Sequence, residues 1–194
     1  MRTPPLRWAV PVAGLAVATA ALSFLPTAPA TTESPVWLVD HSIPLDPVTD
    51  PSDGSLPDGR ALTPFDVLNP AIGRLEPALL HAIQSAATAA AADGITMTIN
   101  SGWRSPAFQQ QLLDQAVQTY GSLAAARQYV QTPAASKHVV GQAVDVGGTG
   151  ADQWLIANGP RFGLCRIYAN ELWHFELATD AAGNCPALLP DAAG

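Results

Sequence analysis

Two short segments place histidines and carboxylates at spacings that suit a metal site. The first, SKHVVGQAVDV (residues 136–146), sets His138 seven residues before Asp145, among valines, an alanine and a glycine. The second, ELWHFEL (residues 171–177), carries His174. A catalytic zinc ion typically takes three protein ligands and leaves its fourth position to water. His138, Asp145 and His174 could supply those three ligands.

A metal would also explain why Asp145 stands in an apolar strand pattern. Burying a lone carboxylate is costly, and a bound dication removes that cost. Gly141 and Ala143 fit a tight turn into the strand, which leaves room for His138 to fold back toward Asp145. The pair by itself is a weak signal, since such spacings arise by chance.

Glu171 is a candidate general base, because a metal-activated water needs a carboxylate to take its proton. Residues three apart on a regular strand face opposite sides. We therefore expect Glu171 in the loop before the strand or at a bulge, so that it can approach His174. Glu176 shares the strand face of His174 and is either a rival base or a partner of the ligating imidazole. We expect Trp173 to point into the core.

Arg104 stands in SGWRS (residues 101–105), at the end of the strand pattern ITMTI. Its guanidinium could pair with a substrate carboxylate or stabilise a developing oxyanion. Taken alone, the segment favours an ordinary surface arginine.

The elements that would position these residues form an α+β pattern, with helices early and strands late. We predict helices over a stretch from Asn69 or Gly73 to about residue 92, from Pro106, over about 122–131 and over 151–158. Strands are predicted at 95–99 and 143–146, and CRIYA and LWHFEL read as two antiparallel neighbours.

The N-terminal third has a different composition. Residues 1–30 combine Arg2, Arg7, an apolar run and PTAPA, which predicts a signal peptide or, alternatively, a membrane anchor. Residues 31–61 are rich in proline and aspartate and read as a linker or an arm lying on the domain. The folded domain is expected over 62–194, outside the cytoplasm.

Charge and cysteine content narrow the class of protein. The formal net charge is −7 and the sequence shows no basic patch, so a nucleic-acid partner is not expected. Cys165 and Cys185 both lie in the part expected to be exported, where an even count favours one disulfide over a catalytic thiol.

Three segments in order, SGWRS, SKHVVGQAVD and ELWH, resemble the motifs of the zinc D-alanyl-D-alanine peptidases, which include VanY-type carboxypeptidases and VanX-type dipeptidases. The resemblance covers roughly residues 70–180. It implies a small α+β domain of the D-Ala-D-Ala peptidase and hedgehog-like fold, in which helices pack on an antiparallel sheet whose one face carries a zinc cleft. Lys137, the N-terminal arm and the cysteine pair are not part of the family pattern.

The resemblance also implies roles for single residues. It makes His138, Asp145 and His174 the ligands of one Zn²⁺ per chain and Glu171 the general base. Arg104 would hold or polarise the substrate carbonyl. Ser136 would contact the substrate near the scissile bond, and Gln109 is a further candidate for substrate binding.

The implied function is an exported, monomeric, cell-envelope carboxypeptidase that cleaves D-Ala-D-Ala in peptidoglycan stem peptides. An endopeptidase of the same fold and a non-catalytic zinc- or wall-binding module are the alternatives. A zinc-free structural domain would leave Asp145 without an evident partner. Membrane contact is expected only through an uncleaved N-terminal segment.

Overall fold

The computed structural model describes residues 51–56 and 61–194. The predicted signal peptide or anchor and most of the predicted arm lie outside the described residues. Within the described part, no helix is long and apolar enough to cross a membrane.

The described part of the chain holds five helices and four strands. The helices are α1 Pro70–Gly73, α2 Pro77–Ala92, α3 Pro106–Tyr120, α4 Leu123–Ala126 and α5 Ala151–Asn158. The strands are β1 Thr98–Ser101, β2 Ala143–Gly147, β3 Leu164–Arg166 and β4 His174–Leu177. Single 3-10 turns cover Pro51–Asp53 and Gly159–Phe162.

The strands form one antiparallel sheet in the order β1-β2-β4-β3. Helices packed on an antiparallel sheet make the fold α+β, as predicted, and β3 and β4 are the antiparallel neighbours expected from CRIYA and LWHFEL. The register places Ser101 opposite Asp145, and Asp145 opposite His174. Three neighbouring strands therefore bring site residues side by side.

The core lies where α2 covers one face of the sheet. An apolar stripe on α2 and the segment before it is buried: Leu75, Leu79, Ile83 and Ala86. It belongs to the same cluster as Val144 and Val146 of β2 and Phe175 of β4. Since side chains alternate across a strand, this packing sends Asp145 and His174 to the opposite face.

Three predicted elements have different bounds in the structure. The first helical stretch is broken before Pro77, which begins α2. The strand expected at 95–99 lies at Thr98–Ser101, because Ile95 still donates to the carbonyl of Ala90 at the end of α2. The helix expected over 122–131 is a single turn, Leu123–Ala126.

Residues 51–56, from the predicted arm, lie against the SGWRS loop. The Ser105 N–H donates to the Asp53 carbonyl over 2.8 Å. A Cβ on Gly54 would collide with the carbonyl oxygen of Trp103, so only glycine allows this close approach. This part of the arm therefore supports the loop that carries Arg104.

Candidate active site

The turn before β2 aims one ring nitrogen of His138 at Asp145. Gly141 adopts φ +72° there, a left-handed conformation that favours glycine, and its N–H donates to the His138 carbonyl. The Nδ1 of His138 lies 2.7 Å from the Gly102 carbonyl oxygen and donates to it. The lone pair on Nε2 is then left facing Asp145 Oδ1 at 3.4 Å.

His174 opens β4 and presents its other ring nitrogen to the same oxygen. Its Nδ1 lies 3.3 Å from Asp145 Oδ1. Its Nε2 donates to Glu176 Oε1 over 2.9 Å. Glu176 therefore contacts the imidazole nitrogen that faces away from Asp145, which is the geometry of a partner that fixes the ring and its tautomer.

The spacing of these donor atoms fits a zinc ion. His138, Asp145 and His174 are buried, and their ligand atoms lie within 4.8 Å of one another. Two ligand atoms at ~2.0–2.1 Å from a tetrahedral zinc would be ~3.3–3.4 Å apart. The measured separations from Asp145 Oδ1 are 3.4 Å and 3.3 Å. Two imidazoles and a carboxylate are also the donor types that zinc takes in catalytic sites.

The surroundings of the three residues shift their pKa values in different directions. Burial raises the pKa of Asp145. The charge and hydrogen bond of His138, the hydrogen bond of His174 and the charge of Arg104 outweigh burial and hold that pKa well below its usual range. Burial and the charge of Arg104 lower the pKa of His138. Burial also lowers the pKa of His174, yet its hydrogen bonds to Asp145 and Glu176 raise it to about 9.

Glu171 lies in the loop directly before β4, as the strand parity predicted. Its Oε2 is 3.7 Å from His174 Nδ1, on the side of the ring that faces Asp145. Its Oε1 is buried and has no hydrogen-bond partner among the described residues. Burial raises the pKa of Glu171 to about 7. The unpartnered oxygen is therefore placed to accept a proton beside the three candidate ligands.

Arg104 is part of this site and is not an ordinary surface arginine. Its Nε donates to Ser101 Oγ over 2.7 Å, and its Nη2 donates to Asp145 Oδ2 over 2.7 Å. Oδ1 of Asp145 thus faces the histidines while Oδ2 is held by the guanidinium. The second serine of the motif, Ser105, caps α3 by accepting from the Phe108 N–H.

The guanidinium keeps donors for a ligand. It has five N–H groups. Two of them make the bonds to Ser101 and Asp145, and a third, on Nη1, donates to Gln109 Oε1 over 3.1 Å. One N–H on each terminal nitrogen of Arg104 is therefore left to contact a substrate.

Gln109 and Ser136 lie in the same cleft but differ in their contacts. Gln109 is buried on α3; its amide accepts from Arg104 and donates to the Gln131 carbonyl over 2.8 Å. Both ends of that amide are used within the protein. Ser136 is buried in the turn before His138 and lines the cleft. Substrate binding by either residue stays a prediction.

The cleft has a volume of about 220 Å³ and includes residues that the sequence did not single out. Tyr168, at the end of CRIYA, lines it, and burial together with the charges of Glu176 and Glu171 raises the pKa of Tyr168 to about 12. Its phenol thus stays a donor at neutral pH. An aromatic residue shortly before ELWH was the only signal that could have pointed to it.

The expectation for Trp173 is wrong. Its side chain is 44% exposed and lines the cleft, while Phe175 fills the core. Trp173 precedes β4, so the alternation of the strand does not govern it.

Cys165 of β3 and Cys185 form a disulfide, and the described part of the chain holds no free cysteine. The bridge ties the sheet to the segment that follows β4.

The chain matches a family of known activity over this region. The family model for VanY, described as D-alanyl-D-alanine carboxypeptidase, matches residues 73–177, more than half of the chain and all of the candidate site. A D-alanyl-D-alanine carboxypeptidase of Enterococcus faecalis (strain ATCC 700802 / V583) is 31% identical over 118 residues, which are 48% of this chain and 44% of the relative. The chain therefore spans less than half of the length of that relative.

Two solved structures have a fold similar to that of this chain. One is a variant of the vancomycin-resistance D,D-pentapeptidase VanY from a VanB-type cassette, in complex with Zn(II). It is 30% identical, with a TM-score of 0.50, over 53% of this chain and 71% of the other. The second is VanYB in complex with D-alanine-D-alanine, 29% identical, with a TM-score of 0.50, over 53% of this chain and 70% of the other.

Proposed function

The chain belongs to the VanY family of D-alanyl-D-alanine carboxypeptidases, and we propose that it is an exported zinc peptidase that removes the terminal D-alanine from peptidoglycan stem peptides. The observation that carries the proposal is the arrangement of His138 Nε2, Asp145 Oδ1 and His174 Nδ1 beside the unpartnered Oε1 of Glu171. Solved relatives bound to Zn(II) and to D-alanine-D-alanine support the metal and the substrate class.

His138, Asp145 and His174 would hold the ion. A bound zinc would polarise the scissile carbonyl and lower the pKa of the attacking water, which would make that water easier to deprotonate. Glu171 takes the proton from that water and passes it to the leaving amine. Arg104, through its free N–H groups, donates to the carbonyl oxygen as negative charge develops there.

Export is proposed from the sequence. The positive, apolar and small-residue pattern of residues 1–30 is that of a signal peptide or anchor. A disulfide between Cys165 and Cys185 also fits an oxidising compartment.

The test is mass spectrometry of a pentapeptide stem ending in D-Ala-D-Ala, incubated with the zinc-loaded protein with and without a chelator. We expect the loss of one alanine, stopped by the chelator and restored by added zinc. Chelator-sensitive cleavage at another bond would indicate the endopeptidase alternative. A zinc-loaded protein that binds the peptide but leaves it intact would favour the non-catalytic module.

Zinc binding should release a proton from His174. Because the pKa of His174 is about 9 before a metal binds, its ring carries a proton at pH 7 that coordination through Nδ1 must displace. We expect roughly one proton per zinc from this residue, and an apparent affinity that increases as pH rises toward 9. Isothermal titration calorimetry in buffers with different ionisation enthalpies measures the proton count. A release of zero protons per zinc at pH 7 would contradict the assignment of His174 Nδ1 as a zinc ligand.

Replacement of Glu176 should weaken the metal site without removing a ligand. The Glu176→Ala variant loses the acceptor that orients the His174 ring, so we expect zinc affinity to fall by about 10–100-fold. Glu176→Gln keeps a carbonyl acceptor and should lose less. Competition with a chromophoric chelator gives both affinities. Equal affinities in wild type and Glu176→Ala would show that the contact does not orient the ring.

A further inference from the structure

We give the name C-terminal wall to residues 189–192, because this segment carries Ala192, which lines the cleft. They lie outside the stretch that matches the family model, which ends at residue 177. Ala192 is 6% exposed and lines the cleft together with Tyr168, Glu171 and Gln131. The wall therefore lies beyond the part of the chain that the family model describes.

Backbone hydrogen bonds attach the wall at both ends. At one end Leu189 pairs with the segment after β3: its N–H donates to the Ile167 carbonyl over 2.9 Å, and its carbonyl accepts from the Ala169 N–H over 2.8 Å. At the other end the Ala192 N–H donates to the Gln128 carbonyl over 3.2 Å, and the Gln131 side-chain amide donates to the Ala192 carbonyl. The wall thus runs from the sheet to the segment after α4.

The disulfide limits how far the wall can move. Cys165 is a buried residue of β3, and Cys185 lies four residues before Leu189. The segment that forms the wall is consequently held to the sheet covalently, close to where its first backbone contacts are made.

The wall stands at the Glu171 side of the cleft. The Gln128 carbonyl that accepts from Ala192 also accepts from the side chain of Asn170 over 2.8 Å, and Asn170 directly precedes Glu171. Since Glu171 hands its proton to the leaving amine, the residue that carries this amine lies on this side of the cleft.

We infer that the C-terminal wall closes the leaving-group side of the cleft, so that the protein accepts substrates with one small residue after the scissile bond and rejects longer ones. The inference rests on the proposed function. The whole cleft, of about 220 Å³, is smaller than the ~300–1,000 Å³ of pockets that take drug-sized ligands. Specificity of this kind arises from a clash with the wrong ligand.

The test compares two peptides that share the same scissile bond. One is a stem pentapeptide ending in D-Ala-D-Ala, and the other carries one extra glycine after the terminal D-alanine. For the full zinc-loaded chain we expect kcat/KM at the shared bond to be at least about tenfold higher for the shorter peptide. A variant lacking residues 189–194, with the disulfide intact, should reduce that preference to less than about threefold.

Two single substitutions test the wall without shortening the chain. Ala192→Trp places a large side chain at the cleft and should lower kcat/KM by at least about tenfold for both peptides. The matched control is Ala187→Trp, an exposed position in the same segment, which should leave both values unchanged. Circular dichroism and zinc content verify that each variant is folded and loaded.

Binding separates failure of the wall from failure of the proposed function. In the Glu171→Gln background, calorimetry with D-Ala-D-Ala and D-Ala-D-Ala-Gly reports the fit of each ligand without turnover. We expect deletion of 189–194 to improve binding of the longer ligand relative to the shorter by about tenfold. The inference that the wall limits substrate length would be overturned by a folded deletion variant with the binding ratio of the undeleted protein. Equal kcat/KM values of the wild-type protein for the two peptides would also overturn it. If the zinc-loaded wild-type protein cleaves neither peptide, but the deletion still shifts the binding ratio in the Glu171→Gln background, only the peptidase assignment is overturned.

Discussion

Replacement of Glu171 by glutamine is expected to lower kcat by about 10²–10⁴-fold while the protein still binds one zinc ion. Glutamine has the same shape but cannot take a proton from water. The Oε1 of Glu171 is buried and unpartnered among the described residues, so no neighbouring group there is already hydrogen-bonded to it. Steady-state kinetics on the D-Ala-D-Ala pentapeptide, with zinc measured on the same sample, gives both quantities.

The pH profile identifies the group that is lost. Burial raises the pKa of Glu171 to about 7, and a general base works only when ionised. The value of kcat/KM should therefore rise with pH along an acidic limb. A bound dication stabilises the carboxylate, so the limb should lie at or below about pH 7. Glu171→Gln should remove that limb.

Glu176→Gln is the matched control, since it makes the same chemical change five residues after Glu171, at the other nitrogen of the His174 ring. It should keep the acidic limb and most of the turnover at saturating zinc, because Glu176 contacts the ring nitrogen facing away from Asp145. A Glu171→Gln variant with wild-type turnover, beside an inactive Glu176→Gln, would transfer the role of base to Glu176.

The position of Glu171 could be predicted because it depends on local rules. Strand alternation requires that two residues three apart cannot both face the metal on a regular strand, so Glu171 had to precede β4. Likewise, Gly141 and Ala143 predicted the tight turn that folds His138 back to Asp145. Sequence spacing carries such information because the geometry of one strand or one turn determines it.

Other parts of the site depend on contacts between distant segments. The choice between the two roles of Glu176 needed the position of the His174 ring, and Trp173 was misplaced because β4 begins one residue after it. The contacts of Ala192 are made largely by backbone groups, which every residue type carries. No residue pattern could have indicated that a C-terminal segment lines the cleft.

Replacement of Arg104 by alanine is expected to have the other large effect, a fall of about 10²–10³-fold in kcat/KM. Two losses contribute to it. The free N–H groups of Arg104 no longer donate to the substrate carbonyl, and Asp145 Oδ2 loses the partner that holds it at 2.7 Å. The second loss should also lower zinc affinity by about 10–100-fold, because the orientation of a metal ligand is relaxed.

Saturating zinc separates these two contributions. Once every site is loaded, recovery of activity in Arg104→Ala measures the part that came from orienting Asp145, and the deficit that remains measures the contact with the substrate. Full recovery would show that Arg104 acts only through the metal ligand. No recovery together with unchanged zinc affinity would show that it acts only on the substrate.

Arg104→Lys tests whether charge alone is enough. The guanidinium bonds Ser101 Oγ, Gln109 Oε1 and Asp145 Oδ2 at once, from three nitrogens held in one plane. A lysine ammonium is a single point of charge on a flexible stem and cannot hold these three acceptors while donating to a substrate. We therefore expect kcat/KM of Arg104→Lys to exceed that of Arg104→Ala by less than about tenfold. Arg161→Ala, which removes an equal charge stacked on Trp154 outside the cleft, should leave kcat/KM unchanged. A fall in both arginine variants would mean that net charge, not the contacts of Arg104, sets the rate.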